Sequence, residues 1–158
     1  MELTQTCKFV ILETADIGGT NTGSTGNWAA YHNVSHYDHI TAIVEVGTWD
    51  SSDDLDTCKL QQYDGTTTKD LTTVGSGSTY DYDTDNMVDA DGDQVIFEVP
   101  VTKIDAANGF NQVRLYCAEG GNTGVDNVTG VIVLSKARDK KKELHKTAST
   151  GSVVYVRT

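Results

Sequence analysis

The chain has 158 residues, with 23 acidic against 12 basic side chains and a formal net charge of −11. A domain of this length buries roughly 70% of the surface its unfolded chain exposes, and a field of this sign repels polyanions, which argues against nucleic acid as a partner. Fifteen Gly and a single Pro, with abundant Thr, Asp and Val, indicate an all-β domain whose strands are joined by Gly and Asp turns.

The first eight residues, Met1 to Lys8, lack the basic start and unbroken apolar run of a secretory signal. No stretch approaches the roughly 18 consecutive apolar residues of a membrane-spanning helix, so the expectation is synthesis in the cytoplasm and no membrane partner. Residues 6–13 read as a first strand with Cys7, Phe9 and Ile11 inward, although Val10 and Leu12 are apolar too. Residues 16–27, with four glycines among Thr, Asn and Ser, read as a long loop. A short strand is expected over 28–34 and a long central one over 39–46.

Residues 45–56 hold Trp49 and the acidic turn cluster around Asp50, Asp53 and Asp54. A β-hairpin follows over 57–71. Asp64-Gly65 is the pair that a two-residue type I′ turn selects, because both central positions need a positive φ. That turn places Tyr63 opposite Thr66, Lys59 opposite Asp70 and Cys58 opposite Leu71. Cys58, Leu60 and Leu71 then share a dry face, and Lys59, Gln61, Tyr63 and Asp70 a wet one.

Residues 94–101 alternate with Val95, Phe97 and Val99 on one face and end at Pro100. A single helical turn is expected over 104–108, followed by a strand over 110–119 with Val113, Leu115 and Cys117 inward and Arg114 and Tyr116 outward. Residues 130–135 are the most apolar strand. About eight strands with turn signals every 8 to 12 residues give a two-sheet antiparallel β-sandwich, jelly-roll or immunoglobulin-like, over residues 1–135. Strand spacing does not choose between the two topologies.

After Leu134 the composition changes. Six of the 12 basic residues lie between Lys136 and Lys146, followed by the apolar run Val153, Val154, Tyr155 and Val156. Residues 136–158 therefore read as a basic linker that delivers a last strand to a sheet edge, of this subunit or of a neighbour.

Candidate chemistry is sparse. Asp81, Asp83, Asp85 and Asn86 open with the spacing of a calcium loop, but its twelfth position is Gly92 where a bidentate Glu is required. His32, His36 and His39 are close in sequence, yet an extended chain puts His39 on the opposite face from the other two. There is no nucleophile elbow, phosphate-cradling loop or placed acid pair, so no enzyme activity and no cofactor are expected. Three cysteines, Cys7, Cys58 and Cys117, cannot all pair within one chain. They read as buried thiols, with a disulfide between subunits, or from Cys58 to Cys117 within one, as the other reading.

Three stretches also carry a resemblance. They are 35–44 leading to Gly47, then 58–62, then 104–110 with Val113-Arg114-Leu115 after it, and an apolar strand running into Lys136-Ala137-Arg138 follows them. In this order the chain resembles small head-decoration or cement proteins of tailed bacteriophages. That resemblance implies a non-enzymatic virion protein bound to the outside of an assembled capsid at local threefold sites. Its partners would be the major capsid protein and neighbouring copies of itself, as a trimer. Attachment is expected through Lys140, Lys141 and Lys142 and through the strand Val153, Val154, Tyr155 and Val156. The alternative is a carbohydrate- or receptor-binding module of a phage fibre or tail, with Trp28, Trp49 and the 80–93 loop as its ligand face.

Overall fold

The computed structural model describes residues 7–19, 21–48, 55, 57–75, 91–119, 124–135 and 153–157, the backbone alone for 24, 72–75 and 153–157. The strands are β1 (Cys7–Asp16), β2 (His32–Asn33), β3 (His39–Val46), β4 (Thr57–Tyr63), β5 (Thr68–Gly75), β6 (Gln94–Pro100), β7 (Gln112–Ala118), β8 (Asn127–Ser135) and β9 (Val153–Arg157). They form a five-stranded sheet in the order β1-β8-β3-β6-β9 and a four-stranded sheet in the order β2-β7-β4-β5.

The pairings define the topology. β1 pairs with β8, β2 with β7, β3 with β6 and β4 with β5, all antiparallel. Eight strands thus form one folded-back ribbon, which β3 on β8 and β4 on β7 close into two layers. This nested order is that of a jelly roll rather than of an immunoglobulin sandwich. β9 lies outside the nest, parallel to β6 along the sheet edge, with Ile96 opposite Tyr155.

Alternation along each strand builds the core. The larger sheet contributes Val10, Leu12, Ile40, Ala42, Val44, Val95, Phe97, Val99, Ile132 and Leu134, and the smaller one Cys58, Leu60, Val113, Leu115 and Cys117. The expected faces of β6 and β7 are those observed: Val95, Phe97, Val99, Val113, Leu115 and Cys117 are buried. β1 and β2, β3 and β4, and β5 and β6 are joined by long connections, which leave the strands at the end where Asp16 lies opposite Asn127 and Glu45 opposite Gln94. Ten of the 23 acidic residues belong to two of those connections, 49–56 and 76–93. Ser135 leaves from the opposite end, opposite Cys7 and His39.

Three expectations are corrected. In β1 the buried residues are Val10, Leu12 and Ala15, whereas Phe9 and Ile11 are 49% and 66% exposed. Both faces of this strand are apolar, so alternation alone could not orient it. A register shift between Leu12 and Ala15 then moves the inward set by one residue.

The segment expected as a strand over 28–34 begins as the helical turn Gly26–Ala29, and only His32 and Asn33 pair with β7. Trp28 is fully buried, and its Nε1 donates to the Glu13 carbonyl at 2.6 Å. The Glu13 carboxylate accepts from the Asn27 amide at 3.0 Å. With the Asn27 side-chain amide donating to the Ile11 carbonyl at 3.2 Å, three bonds hold the turn against β1, and its Gly and Asn have little strand propensity to oppose them.

The hairpin has a four-residue loop, 64–67, and Tyr63 lies opposite Thr68. Asp64 does not take the positive φ that a type I′ turn demands; Gly65 does, at 100°. Instead the Asp64 carboxylate accepts from the amides of Thr66 and Thr67 at 2.7 and 2.6 Å, a local cap that favours the wider loop. The register therefore slips by two residues, placing Gln61 opposite Asp70, and Leu71 bulges before Leu60 meets Thr72. Beyond the bulge the slip is three, with Cys58 opposite Val74, and Cys58 and Leu60 remain inside because alternation within β4 itself sets their face. Lys59 still reaches Asp70 at 3.1 Å, though diagonally.

Candidate functional site

The outward face of the larger sheet carries apolar rows in register. Ile11 lies opposite Val131, Val131 opposite Ile43, and Ile43 opposite Ile96. One step along, Phe9 lies opposite Val133, and Val133 opposite Thr41. Among the described residues, the large apolar side chains classed as exposed are Phe9, Ile11 and Val125, and two of the three belong to these rows. Sheets with one wet face normally alternate apolar-in with polar-out. This sheet does so at Gln94 and Glu98 of β6 and at Thr129 of β8, whereas Phe9 and Ile11 of β1, Val131 and Val133 of β8, Ile43 of β3 and Ile96 of β6 are apolar on that face.

The outward face of the smaller sheet is polar and aromatic. Tyr31 and Tyr63 stack with ring centroids 4.3 Å apart. The Arg114 guanidinium lies 4.7 Å from the Tyr31 centroid and 5.6 Å from that of Tyr116. Its Nε donates to Gln61 Oε1 at 2.9 Å, Gln61 Nε2 donates to Asp70 Oδ1 at 2.9 Å, and Lys59 Nζ reaches Asp70 Oδ2 at 3.1 Å. Lys59 also stands 5.2 Å from the Tyr116 centroid. Protein groups already occupy the ring of Tyr31 on the Tyr63 and Arg114 sides, so this network stiffens the sheet rather than offering a bare ring for stacking.

The residues singled out from the sequence fall in separate places. Trp28 is core, not ligand face, because its indole fills the space under Gly130 and spends its one donor on Glu13. Trp49, the acidic residues Asp81, Asp83 and Asp85, Asn86, and Lys140, Lys141 and Lys142 lie outside the described residues. Val153, Val154, Tyr155 and Val156 form the backbone of β9.

His32 is in β2 of the smaller sheet, His39 in β3 of the larger, and His36 is exposed in the turn between them. Among the described residues no three metal-ligating side chains lie together. Burial holds both His32 and His39 below the ordinary histidine value; Lys8 reinforces this at His32 and Glu98 opposes it at His39.

Cys58 and Cys117 lie directly opposite one another on β4 and β7, both fully buried, with Sγ atoms 3.4 Å apart. Burial, and then the neighbouring thiol, pushes Cys58 well above the ordinary thiol range. The Cys117 amide donates to the Thr22 hydroxyl at 2.9 Å, and that hydroxyl donates to the Cys117 carbonyl at 3.3 Å. Thr22 thus caps the outer side of β7 where the two-residue β2 has ended. Cys7, half-buried on β1, belongs to the other sheet. The sequence offered Cys58 to Cys117 as one of two possible pairings, and the register of β4 on β7, across a separation of 59 residues, is what brings the two thiols together.

No family model matches the chain, and no curated protein and no solved structure matches it.

Proposed function

We propose that this chain is a non-enzymatic structural subunit of a phage virion, decorating the outside of the capsid shell and stabilising it by burying surface at junctions between shell subunits. The observation that carries the reading is the outward face of the larger sheet, where Phe9 and Ile11 stand open to solvent at the end of in-register apolar rows. Apolar surface left in rows on a sheet face is interaction surface, since a face meant for water alternates with polar residues. β9, which lies along the β6 edge of this same chain, is the second surface of the reading, since a strand added along an edge is a recurrent mode of attachment between subunits. The shell protein and neighbouring copies of this chain are the proposed partners, and many symmetry-related copies would let each bind modestly.

The test is sedimentation of a producing cell's lysate through a density gradient, with the copy number of this polypeptide measured by mass spectrometry relative to the most abundant shell protein. Hundreds of copies moving with DNA-filled particles support decoration. Recovery confined to the soluble fraction rejects it. Ile11→Asp and a chain ending at Ser135 then test the two surfaces, each expected to lose shell association while the sandwich keeps its cooperative unfolding. Association of both variants at the level of the parent chain would remove the proposed mode of attachment.

A further inference from the structure

We propose that Cys58 and Cys117 are an oxidisable pair that closes into an intrachain disulfide across β4 and β7 when the protein meets a disulfide-class oxidant. The inference stands apart from the shell reading and rests on strand geometry. In an antiparallel ladder, directly opposed residues alternate between hydrogen-bonded and non-hydrogen-bonded pairs, and a residue sends its N–H and C=O to the same side of its strand. The Cys117 N–H and C=O are both engaged by Thr22, on the side of β7 away from β4. The Cys58–Cys117 pair is therefore the non-hydrogen-bonded kind, whose Cα atoms approach to about 4.5 Å and whose side chains are the closer of the two types. That separation falls inside the range of about 4.4–6.8 Å that a disulfide spans. With Sγ atoms already 3.4 Å apart, rotation of the side chains closes the bond without moving either strand.

Position in the sheet supplies access. The pair lies one step from the end of the ladder, with only Thr57 opposite Ala118 beyond it. Thr57 is also paired with Gly75 and Ala118 with Asn21, so opening of this strand end, which is easier than opening of strand centres, admits a small oxidant. In the first step one thiolate attacks a small disulfide R–S–S–R, forming a mixed disulfide and releasing R–S⁻, which takes up the proton that the cysteine gave up. In the second step the other cysteine sulfur displaces R–S⁻ from the mixed disulfide, and its own proton completes the second R–SH. Two electrons pass from the cysteine sulfurs to the small disulfide, and two R–SH leave. The core has no room for the R group, so the intrachain bond is the product that lets β4 and β7 reclose.

The experiment incubates the full chain with oxidised glutathione and reads intact mass, thiol count after unfolding and a non-reducing peptide map. The expected product has lost the mass of two hydrogen atoms, carries no glutathione on Cys58 or Cys117, retains one alkylatable thiol and yields a peptide joining Cys58 to Cys117. Cys7→Ser should give the same linked peptide with no thiol left, which separates this bond from any link through Cys7. The oxidised chain should also melt at a higher temperature than the reduced chain, and reductant should reverse the shift. Three alkylatable thiols after incubation just below the midpoint of the reduced chain would overturn the proposal. So would stable glutathione adducts on Cys58 or Cys117, or a linked product that melts lower than the reduced chain.

Discussion

Gly130→Ala tests how the helical turn and the three strands around it fit together. Gly130 lies within β8 and faces the core, and a Cβ there would stand 3.0 Å from the Ile43 carbonyl oxygen, 3.0 Å from Trp28 Cη2 and 3.2 Å from Leu12 Cδ1. None of the three yields easily. The carbonyl is backbone of the adjacent strand, the indole is tied to Glu13 at 2.6 Å, and Leu12 is 2% exposed. Optimal separations between such atoms are about 3.5–4.0 Å, so all three contacts are compressed, and overpacking of this kind costs about 1–3 kcal/mol. Replacing Gly by Ala also restricts the unfolded chain, which returns about 0.4–1 kcal/mol.

The net expectation is a loss of about 1–2 kcal/mol, or about 2–8 °C in melting temperature for a domain of this size. Urea unfolding reads the loss as a lower midpoint at unchanged slope. Trp28→Phe in the same background removes the contacting ring atoms, so the double variant should lose at least about 0.5 kcal/mol less than the sum of the singles. A Gly130→Ala protein as stable as the parent, or strict additivity with Trp28→Phe, would refute the packing argument.

Four further outcomes follow from the same geometry. His32 and His39 are held below their ordinary value of 6.5 by burial, so their contribution to stability is complete above that pH and is lost as pH falls through the lowered folded-state values. Melting temperatures measured from pH 7.5 down to 5 should therefore decline, and less steeply in His39→Gln; a flat profile in the parent would contradict it. Arg114→Lys should cost about 1 kcal/mol, because an ammonium replaces the planar group that lies over Tyr31 and bonds Gln61. Lys59→Met, which removes an exposed pair, should change stability by no more than about 0.5 kcal/mol in chemical denaturation. Asp64→Ala should speed amide exchange at Thr66 and Thr67 while Asp64→Asn preserves protection, since an amide oxygen can still accept both bonds; equal exchange in the two variants would exclude the side-chain cap as the reason for the wide loop.

Local alternation was enough to determine the all-β class, the inward sets of β6 and β7, and the sidedness of the β4–β5 hairpin, because those residues differ in polarity between their two faces. Even the wrong loop length left Cys58 and Leu60 inside, since alternation within β4 sets their face whichever β5 residues they meet. Where both faces are apolar, as at Val10 and Leu12 against Phe9 and Ile11, alternation carries no orientation, and only packing of the second sheet against β1 chose the inner set. Trp28 was legible as a large apolar group that suits core or ligand face equally, and the bond that fixes it in the core comes from Glu13 of another element. The jelly-roll order, the meeting of Cys58 with Cys117, and the apolar rows joining Ile11, Val131, Ile43 and Ile96 are products of register between strands far apart in the chain. A sequence window cannot contain such pairings, so tertiary structure alone decided where the surfaces of interest lie.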